Sequence, residues 1–303
     1  MDLEKTAVKR IQSASEMALN HYGKPLLVTD SGGKDSAVCR ELVRRSGVPH
    51  EIIHNLTTAD APQTVLYIRE RFREAEAAGI PCEIQYPYYK GKRVTMWSLI
   101  PQKKIPPTRL ARYCCEVLKE GSGVGRFITT GVRWAESQKR KTGRGIYEAF
   151  DRNQAKKLIL NNDNDDRRQL FESCRVRSKH ICNPIVDWSD REVWDYIRSE
   201  KIPINPLYEM GFYRVGCIGC PMAGKHRYRE FALFRLMNVH TKGRLKKCSL
   251  YGNWREKMIQ PGDGLMQKAY SGGGWRTIPC RDSMNYSLMK IPMKCITDDF
   301  QMQ

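Results

Sequence analysis

Three groups of residues in this 303-residue chain have types and spacings that could do chemistry. The first is Ser31-Gly32-Gly33-Lys34-Asp35-Ser36. It follows a short apolar run, Pro25 to Asp30, and precedes a stretch of helical periodicity. Glycines there let the backbone approach an anion closely and adopt positive φ. The helix that follows adds unpaired N–H groups and the positive end of its dipole. Ser31 and Ser36 add hydroxyl donors, and Lys34 adds a charge. Asp35 would repel phosphate directly, so its expected task is to hold Mg²⁺ or to cap the helix. The chain has no G-x-x-x-x-G-K-[ST], so this is not a Walker loop. The structural alternative is a glycine turn capped by serine.

The second group is cysteine. Eleven cysteines are many for a reducing compartment. The number is odd, and a chain of this length does not need staples to fold, so metal or sulfur chemistry is considered before disulfides. Cys217-Ile-Gly-Cys220 is a C-x-x-C in a glycine-bearing turn, a spacing that lets two thiolates bind one centre; alone it fits zinc, iron–sulfur or redox chemistry. Cys114-Cys115 is a second pair. Neighbouring residues rarely point the same way in regular structure, so one centre shared by both requires a helix end or kink. Cys174 and Cys182 are rival ligands, and Cys39 and Cys82 are read as buried thiols. The third group is basic. Lys and Arg number 52 against 33 acidic residues, a formal charge of +19. A surplus this large favours a polyanionic partner such as DNA or tRNA, through runs at 139–141, 225–229 and 244–247. Solvated faces are the plain alternative.

The elements that must position these groups alternate between strand and helix. An amphipathic helix over 5–20 precedes strand 25–30 and a helix from Asp35 to Arg45 with Ala37, Val38, Leu42 and Val43 as its buried stripe. Gly47 closes that helix. A strand over 51–56 follows, then a helix from Pro62 with Val65, Leu66, Ile68 and Phe72 as its apolar face, and a strand over 83–86. Residues 106–120 read as a helix carrying Cys114 and Cys115, and 126–130 as a strand ending on Gly131-Val-Arg133. Order resumes at Cys182, with a helix from Asp190 to Glu200. The alternation predicts an α/β fold with a parallel sheet flanked by helices. Residues 1–240 are expected to form the nucleotide-binding domain, with a charged, Asn/Asp-rich surface insertion near 138–180. Residues 241–303 are read as a basic C-terminal extension of unknown role. No apolar run approaches a membrane span, and the first residues lack a secretory signal, so a cytoplasmic protein is expected.

The hexapeptide after the first strand resembles the loop of the PP-loop ATP pyrophosphatases, which cleave ATP between its α- and β-phosphates. Gly131-Val-Arg-Trp-Ala-Glu-Ser137, Asn183-Pro-Ile-Val-Asp-Trp188 with Val193-Trp194, and Asn205-Pro-Leu-Tyr208 through Gly216-Cys217 resemble the phosphoadenosine phosphosulfate (PAPS) reductase family. The resemblance covers residues 22–225. It implies an adenine nucleotide alpha hydrolase-like fold, with Gly131 and Arg133 at the nucleotide's phosphates and Lys34, Asp35 and Arg133 as the catalytic group. The order Cys-Cys then Cys-x-x-Cys resembles the [4Fe–4S] site of adenylylsulfate (APS) reductases, which implies Cys114, Cys115, Cys217 and Cys220 as ligands. Reductases of that family carry a modified loop and end in Glu-Cys-Gly-x-His. Here the loop is intact and that motif is absent; Cys248, Cys280 and Cys295 have no matching surroundings. The expected function is therefore ATP-dependent sulfur modification of a nucleic acid or other acceptor. The DndC-type proteins of DNA phosphorothioation and the tRNA thiolases work in this way, with a cysteine desulfurase among the possible sulfur donors. A PAPS/APS reductase and a non-catalytic nucleotide-dependent nucleic-acid-binding module are the alternatives.

Overall fold

The computed structural model describes residues 2–150, 157–161, 179–235 and 237–238. The extension 241–303, and with it Cys248, Cys280 and Cys295, lies outside the described residues, as do Cys174 and the basic run 244–247.

Helix α1 (Leu3–Tyr22) opens the chain. Asp2 caps it by accepting from the Lys5 backbone N–H at 3.3 Å, and Gly23 ends it at φ 60°. Ala7, Ile11, Ala14 and Ala18 recur at three- and four-residue intervals and are fully buried, which is the stripe a helix needs to lie on a sheet. Strand β1 (Leu26–Thr29), helix α2 (Lys34–Ser46), strand β2 (His50–Asn55), helix α3 (Pro62–Ala77) and strand β3 (Cys82–Gln85) follow. The expected stripe of α2, Ala37, Val38, Leu42 and Val43, is buried as read. Val38, Leu42 and Val43 each contribute about 1.5–3 kcal/mol by that burial before entropy is counted. The face of α3 differs: Thr64, Tyr67, Ile68 and Phe72 are buried, while Leu66 is 46% exposed. Thr64 and Tyr67 are amphipathic enough to pass as surface residues in a hydrophobicity pattern, and their hydroxyls find partners inside.

The chain then leaves the sheet. Strands β4 (Tyr88–Tyr89) and β5 (Lys92–Arg93) form a separate antiparallel hairpin, and helix α4 (Met96–Lys103) follows with Thr95 and Ser98 as a capping box. The helix expected over 106–120 is not continuous. Pro106 and Pro107 deny it a backbone donor, and only helix α5 (Tyr113–Cys115) and a π-helical turn, Glu116–Glu120, form.

Strand β6 (Phe127–Thr129) returns beside β1. Helix α6 (Gln138–Gly143) and strands β7 (Tyr147–Phe150) and β8 (Lys157–Leu160) precede strand β9 (Lys179–Cys182) and helix α7 (Asp190–Ser199). The seven-stranded sheet has the order β3-β2-β1-β6-β9-β7-β8. The pairs from β3 through β9 are parallel, and β7 is antiparallel to both β9 and β8. This corrects the surface insertion expected near 138–180. Residues 147–150 and 157–160 extend the sheet, and Ile146, Tyr147 and Leu160 belong to the main core. The polar composition misled because Glu148, fully buried, is matched by Asn183 and Arg144 rather than by water. Residues 162–178 of that segment lie outside the described residues. The mainly parallel sheet flanked by helices is the expected class.

Candidate functional site

The sheet order turns back between β1 and β6: the chain moves outward from β1 to β2 and β3, then re-enters on the other side at β6. Loops leaving the carboxyl ends of two such strands diverge and open a crevice, the usual ligand position in this architecture. Residues 30–33 leave β1 there and residues 130–133 leave β6.

The first loop is held from beneath by Asp30. Its Oδ1 accepts from the Gly32 backbone N–H at 2.8 Å and from Ser36 Oγ at 3.0 Å, and its Oδ2 is paired with Arg40. His54 Nδ1 stands 2.7 Å from the Asp30 carbonyl oxygen. Gly32 has φ 75°, and a Cβ there would come within 2.8 Å of the Thr64 methyl, so this position requires glycine. Asn205 Nδ2 donates to the Gly32 carbonyl at 3.2 Å and to Thr64 Oγ1 at 3.0 Å. Tyr208 Oη accepts from the Lys34 backbone N–H at 2.9 Å. Burial raises the Tyr208 phenol, which therefore keeps its proton, and Trp194 meets its ring edge-on at 5.3 Å. Asp30, Thr64, Asn205 and Tyr208 were not assigned a role from sequence, although Asp30 precedes the loop directly and Asn205-Pro-Leu-Tyr208 was visible as a motif.

Gly33 is the N-cap of α2, with φ −90° and no side-chain cap. The expectation that Asp35 caps the helix is corrected. Asp35 sits inside the first turn and accepts from Arg133 Nε at 2.7 Å and from Lys34 Nζ at 3.1 Å. Arg133 is only 1% exposed. Its Nη1 donates to the Trp188 carbonyl at 3.1 Å, and its Nη2 reaches Asp190 Oδ1 at 2.5 Å. Lys34 Nζ also lies 3.1 Å from Asp190 Oδ1. Two cations and two carboxylates thus interlock where β1, β6 and the loop after β9 meet. Burial pulls the Asp190 carboxyl upward, but hydrogen bonds from Arg133 and Lys34 outweigh it and hold the group below its usual range. Asp190 is the member that sequence reading missed. Its only signal was its place at a helix start.

Gly131 explains how the two loops come so close. A Cβ on it would stand 2.7 Å from the Asp35 carbonyl carbon and 2.9 Å from the Ser36 nitrogen. Arg133 is aimed by its own motif: its backbone N–H donates to Glu136 Oε2 at 3.0 Å, and Trp134 N–H donates to the Val186 carbonyl at 2.7 Å. Asn183 is fully buried, donating to the Gly145 carbonyl at 2.7 Å and paired with Thr130.

The cysteine motifs share a second patch. Cys114 and Cys115 lie where α5 runs into the π-helical turn, the kind of break that two adjacent thiols facing one centre require. Gly219 shapes the other motif: φ is 72°, and a Cβ would collide with the Phe231 ring at 2.1 Å. Its N–H donates to Glu230 Oε2 at 2.7 Å. Cys217 Sγ donates to Thr57 Oγ1 at 3.4 Å, and burial raises its thiol. Arg112 Nη2 donates to Cys115 Sγ at 3.2 Å. The Cys114 thiol hydrogen-bonds Cys115, and with Arg112 it favours the thiolate of Cys115. Cys217 and Cys220 stand near enough for their charges to act on Cys114. Cys217 and Asp60 raise the ammonium of Lys119, whose side chain still meets solvent, against the opposing pull of burial. Among the described residues no group of three or more His, Cys, Asp and Glu side chains is gathered around a single metal-sized point. Cys182 is elsewhere: it is fully buried in the main core with its thiol toward the Arg10 carbonyl. Cys39 is buried as expected, and Cys82 is half-buried on β3.

A phosphate-type loop at a switch point, faced by a buried arginine from the neighbouring strand, defines a nucleotide-binding α/β protein of the PP-loop kind. The chain belongs to the phosphoadenosine phosphosulfate reductase domain family, whose model matches residues 25–223. An uncharacterized protein of Methanocaldococcus jannaschii is 28% identical over 199 residues, covering 65% of this chain and 36% of that protein. The adenosine 5'-phosphosulfate reductase of Bacillus mycoides is 22% identical over 231 residues, 72% of this chain and 82% of the reductase. A second M. jannaschii protein is matched over 47% of its length, so the chain spans less than half of each of these two archaeal relatives. The solved PAPS reductase of Candida auris superposes with a TM-score of 0.41 at 18% identity, over 71% of this chain and 92% of that one. Among the described residues no helix is long and apolar enough to cross a membrane.

Proposed function

We propose that this chain is an ATP pyrophosphatase that adenylylates a nucleic-acid acceptor for sulfur insertion. The observation that carries the reading is the meeting of Lys34 and Arg133 above an intact Ser31–Ser36 loop. The β,γ-pyrophosphate of ATP occupies the loop, and its oxygens replace Asp35 and Asp190 as partners of the two cations. The Asp35 and Asp190 carboxylates so released suit the Mg²⁺ that accompanies the nucleotide, which would neutralise phosphate charge. The pocket lined by His54, Leu56, Ile68, Arg69 and Tyr86 would receive the base. An acceptor oxygen attacks the α-phosphorus, an O–P bond forms, the α–β anhydride breaks, and pyrophosphate leaves. Lys34, Arg133 and the loop amides stabilise the charge that develops. The terminal sulfur of a persulfide, carried by a donor such as a cysteine desulfurase, then displaces AMP from the activated acceptor, and a thiol reductant cleaves the disulfide so formed to leave one sulfur on the acceptor.

The two cysteine pairs of this patch suit a [4Fe–4S] cluster. A four-iron cluster takes each thiolate on a different iron and so spreads them. Arg112 and Lys119 supply positive charge against the thiolates. Cys114, Cys115, Cys217 and Cys220 would hold the cluster, which when bound would carry sulfur or brace the wall of the site.

The test is the fate of ATP labelled at the α-phosphate. AMP and pyrophosphate are expected, and cleavage to ADP would refute the pyrophosphatase reading. A sulfonucleotide reductase is the second reading, favoured by the reductase relatives. Release of sulfite from APS or PAPS with a thiol reductant would establish it instead.

A further inference from the structure

Residues 84–115 contain seven Lys and Arg and no Asp or Glu. This segment is the one that leaves the main sheet. Its Val94, Leu99 and Tyr113 form a small core with Leu118 of the following turn, and it is tied to the loop after β2 by Met96, whose backbone N–H donates to Thr58 Oγ1 at 2.7 Å. Three of its seven cations, Lys90, Arg93 and Lys103, rest on rings, while Arg109 meets the Pro221 carbonyl and Arg112 the Cys115 sulfur. Arg93 lies over Tyr86 at 3.6 Å, and Lys103 lies over Tyr89 at 4.4 Å. A ring face attracts a cation without cancelling its charge, so the surface stays positive. Between these pairs Tyr88 is 64% exposed at the hairpin, flanked by exposed Lys90 and Lys92. An exposed aromatic among uncompensated cations is the combination that binds unpaired strands: phosphates meet the charges and a base stacks on the ring. The segment also joins the two chemical centres. Tyr86 borders the pocket at the ends of β2 and β3, and the segment ends on Cys114 and Cys115.

We propose that the β4–β5 hairpin is the docking face for a single-stranded nucleic acid, with Tyr88 stacking on a base and Lys90 and Lys92 contacting phosphates. The proposal rests on the nucleic-acid reading above and adds where, and in what form, the polymer is held. A duplex offers no free base face to Tyr88, so the strand must be unpaired at this point, as in a loop of RNA or an opened stretch of DNA.

The experiment is fluorescence anisotropy on the full chain with one labelled sequence as single-stranded RNA, single-stranded DNA and DNA duplex. Titrations at about 50 and about 200 mM salt measure the phosphate contribution. Lys90→Glu with Lys92→Glu should weaken single-strand binding at least about tenfold and reduce the slope of log affinity against log salt by about 2. Tyr88→Ala should weaken single strands at least about fivefold and leave the duplex unchanged. Lys9→Glu with Lys24→Glu, equally exposed and equal in charge, is the matched control and should lose much less. Circular dichroism establishes that each variant is folded. If the parent binds single strands and the hairpin variants bind as it does, the docking face is wrong while the nucleic-acid reading stands. If the parent binds no polynucleotide at low salt, the nucleic-acid reading fails and takes this inference with it. Duplex binding as tight as single-strand binding and equally sensitive to Tyr88→Ala would refute the unpaired form.

Discussion

Gly33→Asp should move stability and nucleotide binding in opposite directions. Gly33 caps α2 with φ −90° and ψ 165°, a conformation any residue adopts. A Cβ there meets Ser31 Oγ at 3.5 Å and Tyr208 Oη at 3.7 Å, both ordinary contacts. Aspartate is among the best N-caps and its charge complements the helix dipole, so the folded state should gain a few tenths to about 1 kcal/mol. The same carboxylate would face the phosphates. One charge against another at about 4 Å costs roughly 4 kcal/mol at an effective dielectric near 20. Affinity for ATP should therefore fall by about a thousandfold. Urea unfolding and calorimetric titration of Mg²⁺-ATP measure the two quantities. A variant that binds ATP within tenfold of the parent would refute the phosphate assignment. A variant destabilised by more than about 2 kcal/mol would refute the reading of Gly33 as an unstrained, open cap.

Gly131→Ala should do the reverse of a clean binding mutant. Its Cβ falls 2.7 Å from the Asp35 carbonyl carbon, so a backbone segment must yield and stability should drop by about 1–3 kcal/mol in a urea titration, with ATP affinity falling alongside. Anaerobic purification should give a brown protein with about four irons per chain, and Cys217→Ser or Cys220→Ser should lose iron. Stoichiometric zinc without iron after anaerobic reconstitution would overturn the cluster, and iron retained in Cys114→Ser would remove that residue from the ligand set.

Much of this architecture was legible because local pattern and tertiary role agree. The stripe of α2 is periodic and aliphatic, and the loop before it carries glycines whose backbone need is visible as composition. Reading failed where a residue's partner lies far along the chain. Glu148 looks like surface until Asn183, thirty-five positions away, turns out to satisfy it. Strands β7 and β8 were hidden for that reason, and their shortness gave period-two alternation no room to declare itself. The helix over 106–120 was overread: Pro106 and Pro107 break its start, and only Tyr113–Cys115 and the π-helical turn form. In the site, Lys34 and Arg133 were found through their motifs. Asp190 was missed because only the fold brings a helix start after β9 to the strand ends of β1 and β6.

The interlock of Lys34 and Arg133 with Asp35 and Asp190 also sets a threshold on which anions can enter. Each cation already has carboxylate company. A chloride or a bicarbonate brings one charge and would have to evict carboxylates at a net electrostatic loss. A triphosphate brings several charges on one covalent chain and can compensate both cations at once. On the function proposed above, the crevice is guarded by valence: the abundant monovalent ions of the surrounding solution would compete poorly for it, and a polyphosphate need not outnumber them to be held.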